Sequence, residues 1–264
     1  MGAFAITARA RQGPTDFPGL IWTIVRTDFK ARYHGTLGGF LWALLKPAAM
    51  FVVLLCVFSF IFASDPDYRL NLLIGLFLWD FFAESTKVGL LSLHAKGFLL
   101  SKSLFPRWIM IATSSSNALI TLTVFSGSLV VLLAGSHRMP GPLSWLLYAV
   151  YLLHLYLMAL GISLASSVLF LRYRDLNQVW EVVTQAGFFL APIVYPLDIL
   201  PERFHRLLFA WPPTPVIQDV RAVLVAGAVP SLRAHALLTL LTCAILALGI
   251  AVYRRQAPRA AEYL

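Results

Sequence analysis

The chain has 264 residues, 59% of them hydrophobic and only 12% charged, with a mean hydropathy of +0.78. An ordinary soluble domain carries about 25% charged residues, so a chain this apolar cannot cover itself with a polar surface; a soluble enzyme, a disordered tail and a DNA-binding domain of the usual kind are excluded. The formal charge of +9 is no nucleic-acid signal, because the lysines and arginines mostly flank apolar runs.

The first predicted element covers 17–33. Phe17, Leu20, Ile21, Ile24, Val25 and Phe29 recur at helical spacing, with Arg26, Asp28, Lys30 and Arg32 largely on the other side. Asp16 is placed to cap the helix and Pro18 sits in its first turn. An amphipathic helix of this kind lies in the membrane interface with its cations toward lipid headgroups. Two roles stay open for it: a surface anchor, or a gate or docking element beside a pore. Gly35, Gly38 and Gly39 follow and allow a sharp turn.

Six apolar runs come next, at 40–62, 70–90, 108–134, 143–171, 179–195 and 236–253. A helical span needs about 20 mainly apolar residues. The runs are continuous and Leu-rich, without the period-2 alternation of a membrane β-barrel. The first run starts late and follows a basic segment, so it reads as a span and not as a cleaved signal peptide. Cys56 and Cys243 lie inside apolar runs and read as buried, unreactive thiols. The segment 197–232 carries Pro201, Pro212, Pro213, Pro215 and Pro230, with Asp219 and Arg221 in its apolar part. It suits a re-entrant or interfacial helical pair better than a seventh span.

Orientation follows the basic residues. With the N-terminus inside, the inner segments hold Arg9, Arg11, Arg26, Lys30, Arg32, Lys96, Lys102, Arg107, Arg172, Arg174, Arg254, Arg255 and Arg259. The outer ones hold Arg69, Arg138, Arg203, Arg206, Arg221 and Arg233. Both termini are therefore expected in the cytoplasm. The expected organisation is a cytoplasmic N-terminal region at 1–34, a transmembrane domain at 35–253 and a cytoplasmic tail at 254–264.

Asp80, Glu84 and Lys87 are the sharpest anomaly. They share one face of the second span, where charge is costly unless it meets protein or water. Two readings stand: a polar lining or inter-helix contact, or local neutralisation of Glu84 by Lys87. Trp79, Phe81 and Phe82 sit deeper than the other aromatics and are candidates to line a pore. Trp22, Trp42, Trp108, Trp145, Trp180 and Trp211 fit an aromatic belt, or else a track on which sugar rings stack. The inner loops 99–107 and 172–175 are ordinary positive flanks, or a docking surface for a cytoplasmic protein. A Walker-A loop, HExxH and paired CxxC motifs are absent from the sequence. His94, His137 and His154 are scattered, and no metal site is expected.

The sequence resembles one known family, the membrane subunit of bacterial polysaccharide ABC exporters of the type-two permease class. Four stretches carry the likeness. Asp28–Tyr33 with Leu37–Pro47 resembles the family's entry to its first span, and Gly75–Phe82 its second. Lys102–Arg107 resembles the loop before the third. Arg172–Asp175 followed by Ala191–Pro196 resembles the region around the fifth. Three positions depart from the family pattern: Trp211-Pro212 stands for Asn-Pro, Gln218 for an acidic residue, and Ala191 for Ser.

The resemblance implies an all-α polytopic membrane protein with six transmembrane helices, an N-terminal interfacial helix and re-entrant helices between spans five and six. It implies a homodimeric pore in the bacterial inner membrane with two cytoplasmic ABC ATPase subunits docked beneath. ATP and Mg are handled by those partners, and this chain binds no cofactor of its own. The substrate implied is an undecaprenyl-pyrophosphate-linked polysaccharide such as O-antigen. Trp42, Trp79, Asp80, Phe81, Phe82 and Glu84 would line its path, with Trp22, Lys30, Arg32 and Tyr33 at the cytoplasmic entrance. Lys102, Phe105, Pro106 and Arg107, with Arg172, Tyr173, Arg174 and Asp175, would couple to the ATPase. Two alternatives remain: a drug or small-lipid exporter on the same scaffold, and a membrane enzyme acting on lipid-linked sugars. An enzyme would need converging acidic residues, whereas Asp80 and Glu84 lie along one helix without visible partners.

Overall fold

A computed structural model describes residues 17–33, 35, 38–96, 107–135 and 139–260. Its regular structure is helical throughout, with no strand among the described residues. The helices are α1 (Phe17–Tyr33), α2 (Leu41–Phe58), α3 (Tyr68–Ala95), α4 (Arg107–Ser114), α5 (Ser116–Gly135), α6 (Pro142–Arg172) and α7 (Leu176–Leu190). A 3₁₀ turn at Leu197–Ile199 leads to α8 (Glu202–Ala210), α9 (Pro213–Leu224) and α10 (Leu232–Ala260).

Among the described residues, four stretches are long and apolar enough to cross a membrane: Leu41–Phe58, Arg107–Gly135, Pro142–Arg172 and Leu232–Pro258. They coincide with the first, third, fourth and sixth runs of the sequence. The second run is a 28-residue helix, α3, whose apolar character is interrupted by Asp80, Glu84 and Lys87. The fifth run is helical for only 15 residues and stops at Leu190, short of the expected Tyr195. Ala191 precedes Pro192, and a residue before proline is pushed out of the helical region; its φ and ψ are −72° and 130°. The third run is divided at Ser115. Thr113, Ser114 and Ser115 turn their hydroxyls back onto the carbonyls of Ile109, Ile111 and Ala112, which competes with regular helix.

The core forms around α3 and α6. Leu72, Phe82, Tyr151, Leu155 and Met158 are buried there, with Val216, Ile217 and Val220 of α9 wedged against them. α10 runs along α6. A second cluster joins Leu93, Ile111, Leu164, Val168 and Leu171, covered by Leu246, Ile250 and Tyr253. That cluster marks one end of the molecule. There Lys96 pairs with Asp28 of α1, and Arg107 donates to the carbonyl of Ala257 at 2.9 Å.

The opposite end is built by α8, α9 and the start of α10. The Tyr68 hydroxyl donates to the Val194 carbonyl at 2.9 Å. Arg221 is buried and spends its guanidinium on three backbone carbonyls. Nε and Nη2 donate to Asn71 at 2.9 and 2.7 Å, Nη1 to Pro192 at 2.7 Å, and Nη2 also to Ile193 at 3.0 Å. A Cβ at residue 75 would stand 2.6 Å from Arg221 Nη2, so only Gly75 leaves the guanidinium room. Arg221 thus satisfies the carbonyls released where α7 breaks at Pro192.

α2 is the least supported of the long helices. Pro47 is its buried residue, while Trp42, Val52, Val53 and Val57 are exposed. Cys56 and Cys243 are exposed on the outer surface of the chain, correcting the expectation that both are buried.

Candidate functional site

A cleft runs beside α3, between it and α2. Its first part is a cavity of about 280 Å³ lined by Arg32 and Tyr33 of α1, Trp42, Ala43, Lys46 and Pro47 of α2, Asp80 and Glu84 of α3, and Asn117 and Thr121 of α5. Its second part is a cavity of about 740 Å³ walled by Met50 and Val53, Leu76, Trp79 and Ala83, and Thr184, Gln185, Phe188 and Phe189 of α7. Lys46, Pro47 and Asp80 line both parts and join them. A charged compartment therefore leads into a larger apolar and aromatic one.

The charges in the first compartment come from different helices. Arg32 pairs with Glu84 across 52 residues of sequence. Lys46 and Arg32 both face Asp80 electrostatically. Lys87 turns the other way and meets Glu181 of α7 at 2.7 Å. The local pairing of Glu84 with Lys87 is thereby overturned, and so is the reading of Asp80 and Glu84 as lacking partners. At positions i and i+3 the two side chains could have met, but each found an opposite charge on another helix. The Tyr33 phenol is pushed up by burial and packs edge-on against Phe40, with ring centroids 5.4 Å apart.

Two local features shape the cleft. Pro47 sits inside α2 and brings no N–H, so the carbonyl of Ala43 loses its usual helical donor at the cavity wall. Gly38 has no Cβ, and one placed there would meet the Trp42 indole at 2.5 to 2.7 Å. The glycine lets the indole fold back over the start of α2.

Other expected residues lie elsewhere. Phe81 and Phe82 are 2% and 0% exposed and belong to the packed interior. Trp79 borders the larger cavity and leads an aromatic group, with ring centroids 5.9 Å from Phe188, 6.0 Å from Phe82 and 6.4 Å from Trp211. Gly187 makes room for that group, since a Cβ there would sit 3.1 Å from Trp79 and closer to Trp211. Trp22 and Lys30 are exposed on α1. Arg172, Tyr173, Arg174 and Asp175 form an exposed turn between α6 and α7, with Arg172 over the Tyr173 ring at 5.1 Å and Arg174 over Phe170 at 5.3 Å. Lys102, Phe105 and Pro106 lie outside the described residues, as does the Asp16 cap; Arg107 opens α4.

Sequence reasoning missed Lys46, Asn117 and Thr121 as lining residues. Asn117 is 6% exposed, and its Oδ1 is buried without a hydrogen-bond partner. An orphaned buried acceptor facing a cavity is a cost unless something fills it. The readable signal was an amide inside an apolar run, where polar side chains are rare and functional.

A charged cleft beside two helical stretches long and apolar enough to cross a membrane, Leu41–Phe58 and Arg107–Gly135, suits a membrane-embedded transport subunit. Residues 19–225 match the ABC-2 type transporter family, and the chain belongs to that family. It is 27% identical over 251 residues to the O-antigen export system permease protein RfbA of Klebsiella pneumoniae, covering 93% of this chain and 95% of that one. It is 25% identical to the RfbA of the same description from Myxococcus xanthus, over 73% and 74% of the two chains. It is 26% identical to the polysialic acid transport protein KpsM of Escherichia coli, over 86% and 89%. The protein is a multi-pass membrane permease, a transport subunit without an ATPase domain, and the family implies a separate ATPase partner.

Proposed function

We propose that this permease exports a lipid-linked, O-antigen-like or capsular polysaccharide from the cytoplasm across the bacterial inner membrane. In this reading two copies form the pore and two ATPase subunits drive it from below. α3 and α7 complete a set of six spans, with α7 continued by the turn at 191–195. α1 lies in the cytoplasmic interface, and the hairpin of α8 and α9 re-enters from the outer side. Both termini are cytoplasmic, in keeping with the basic residues gathered near the end where α1 meets Lys96 and Arg107 meets α10.

The observation that carries this reading is the two-part cleft along α3. A hydrophilic polymer cannot cross hydrocarbon unaided; it needs a wet path with sites that hold it weakly. Arg32, Lys46, Asp80, Glu84 and Asn117 supply charged and amide groups for sugar hydroxyls and for the carrier's pyrophosphate. Trp42 and Trp79 supply aromatic faces. Phe81 and Phe82 support the wall from behind and do not touch the cargo. A shift of α2 away from α3 would widen the cleft, as the passage of a bulky chain requires.

The apolar walls of the larger cavity also fit a small hydrophobic cargo, and one experiment separates the two. The permease and its ATPase partner are reconstituted in proteoliposomes and ATP hydrolysis is measured. Lipid-linked polysaccharide from the native host is expected to stimulate it several-fold. Stimulation by hydrophobic drugs or free phospholipid, with none by the polymer, overturns the proposal.

A further inference from the structure

A second groove, of about 670 Å³, lies between α8, α9 and α10, away from the α3 cleft. Its walls are apolar, with Phe209, Leu237 and Leu241 among them, and Arg206 and Arg233 stand exposed on its lining. Asp219 of α9 also lines it, yet is only 7% exposed. The Asp219 carboxylate takes part in no hydrogen bond or ion pair among the described residues. Facing it are the Tyr151 phenol and two imidazoles, His235 and His154. Both are committed elsewhere: His235 to the Tyr151 hydroxyl at 2.9 Å and the Ser231 carbonyl at 3.0 Å, His154 to the Val150 carbonyl at 2.9 Å.

A carboxylate buried in an apolar groove without a donor is expensive. The two arginines do not relieve it: neither pairs with it, and their long stems let the guanidinium groups reach water or headgroups. The groove thus presents an acceptor in its depth, two cations on its lining and an apolar wall. That pattern complements a molecule with an amine, a phosphate and acyl chains. We propose that this groove binds a phosphoethanolamine lipid of the surrounding bilayer, its amine on Asp219, its phosphate on Arg206 and Arg233, and an acyl chain along Leu237 and Leu241. A lipid without an amine leaves Asp219 unmet, and one with a quaternary amine has no N–H to give it. This lipid site is independent of the polymer reading.

The test is lipid retention by the purified permease–ATPase complex, read by native mass spectrometry. The complex is exposed to equal amounts of phosphatidylethanolamine and phosphatidylglycerol with the same acyl chains. The expected result is at least a fivefold preference for the ethanolamine lipid in wild type. Asp219→Asn should remove the preference, and Arg206→Gln with Arg233→Gln should remove retention of both lipids. Equal retention by wild type overturns the proposal. So does an unchanged preference in either variant, or a bare groove covered by a second copy. If Asp219→Asn does not fold, wild type is challenged with phosphatidylethanolamine against phosphatidylcholine; preference for the former supports the site and equality overturns it.

Discussion

Arg32 on the amphipathic α1 and Glu84 on α3 form an ion pair that fastens the first helix to the wall of the cleft. The pair is partly solvated, with side chains 41% and 26% exposed, so it adds little to stability, about 1 kcal/mol or less. Its weight is positional. Arg32→Gln should lower polymer export markedly while thermal unfolding in detergent stays close to wild type. The charge reversal Arg32→Glu with Glu84→Arg should recover part of the export. Full export by the single variant would remove the pair from the mechanism.

Gly161 of α6 and Gly249 of α10 face each other where the two helices cross. A Cβ at 161 would stand 2.9 Å from the Ile245 oxygen and the Leu246 Cα. One at 249 would meet the backbone of Gly161. Small residues let membrane helices approach this closely. Gly161→Ala and Gly249→Ala should each cost about 1 to 3 kcal/mol through overpacking. The cost should appear as a lower unfolding temperature of the purified permease.

Arg221 carries the break after α7. Removing its guanidinium takes a donor from the Asn71 carbonyl and strands those of Pro192 and Ile193, which lie past the end of α7 and accept no backbone N–H among the described residues. Charge-assisted bonds contribute about 1.5 to 3 kcal/mol each. Arg221→Gln should therefore destabilise by about 3 kcal/mol. Arg221→Lys should not rescue it, because an ammonium cannot span three carbonyls as a fork does. Unfolding temperatures of the two variants check this.

The turn Arg172–Asp175 is exposed, with Arg172 over the Tyr173 ring and Arg174 over Phe170 of α6. If it meets the ATPase, Tyr173→Ala with Arg174→Ala should leave the permease's unfolding temperature unchanged and weaken co-purification of the partner several-fold. Unaltered co-purification would assign the contact to other residues.

The sequence made local features readable and left the distant ones hidden. The periodicity at 17–33 marks α1 to the residue, and the long apolar runs mark α2, α4 with α5, and α6 within a few positions, while α10 runs seven residues past the expected 253 into the basic tail. Hydrophobic runs report span length directly, whereas the end of α7 depended on the residue before Pro192. Asp80 and Glu84 stood out because charge is rare in such runs, but their partners come from 34 to 52 residues away on other helices. Nothing in spacing along α3 could reveal Arg32 or Lys46. The burial of Phe81 and Phe82 was hidden for the same reason: only the packing of neighbouring helices decides which face of α3 is covered.

If cargo moves through the cleft along α3, obstructing the cleft must stop export. Ala83 lines the larger cavity, and a tryptophan there would project into it and narrow it. In cells that depend on the Ala83→Trp permease, surface polysaccharide should fall to background, while Ala83→Ser stays near wild type and both assemble with the ATPase. Normal surface polysaccharide in the Ala83→Trp strain would contradict the account.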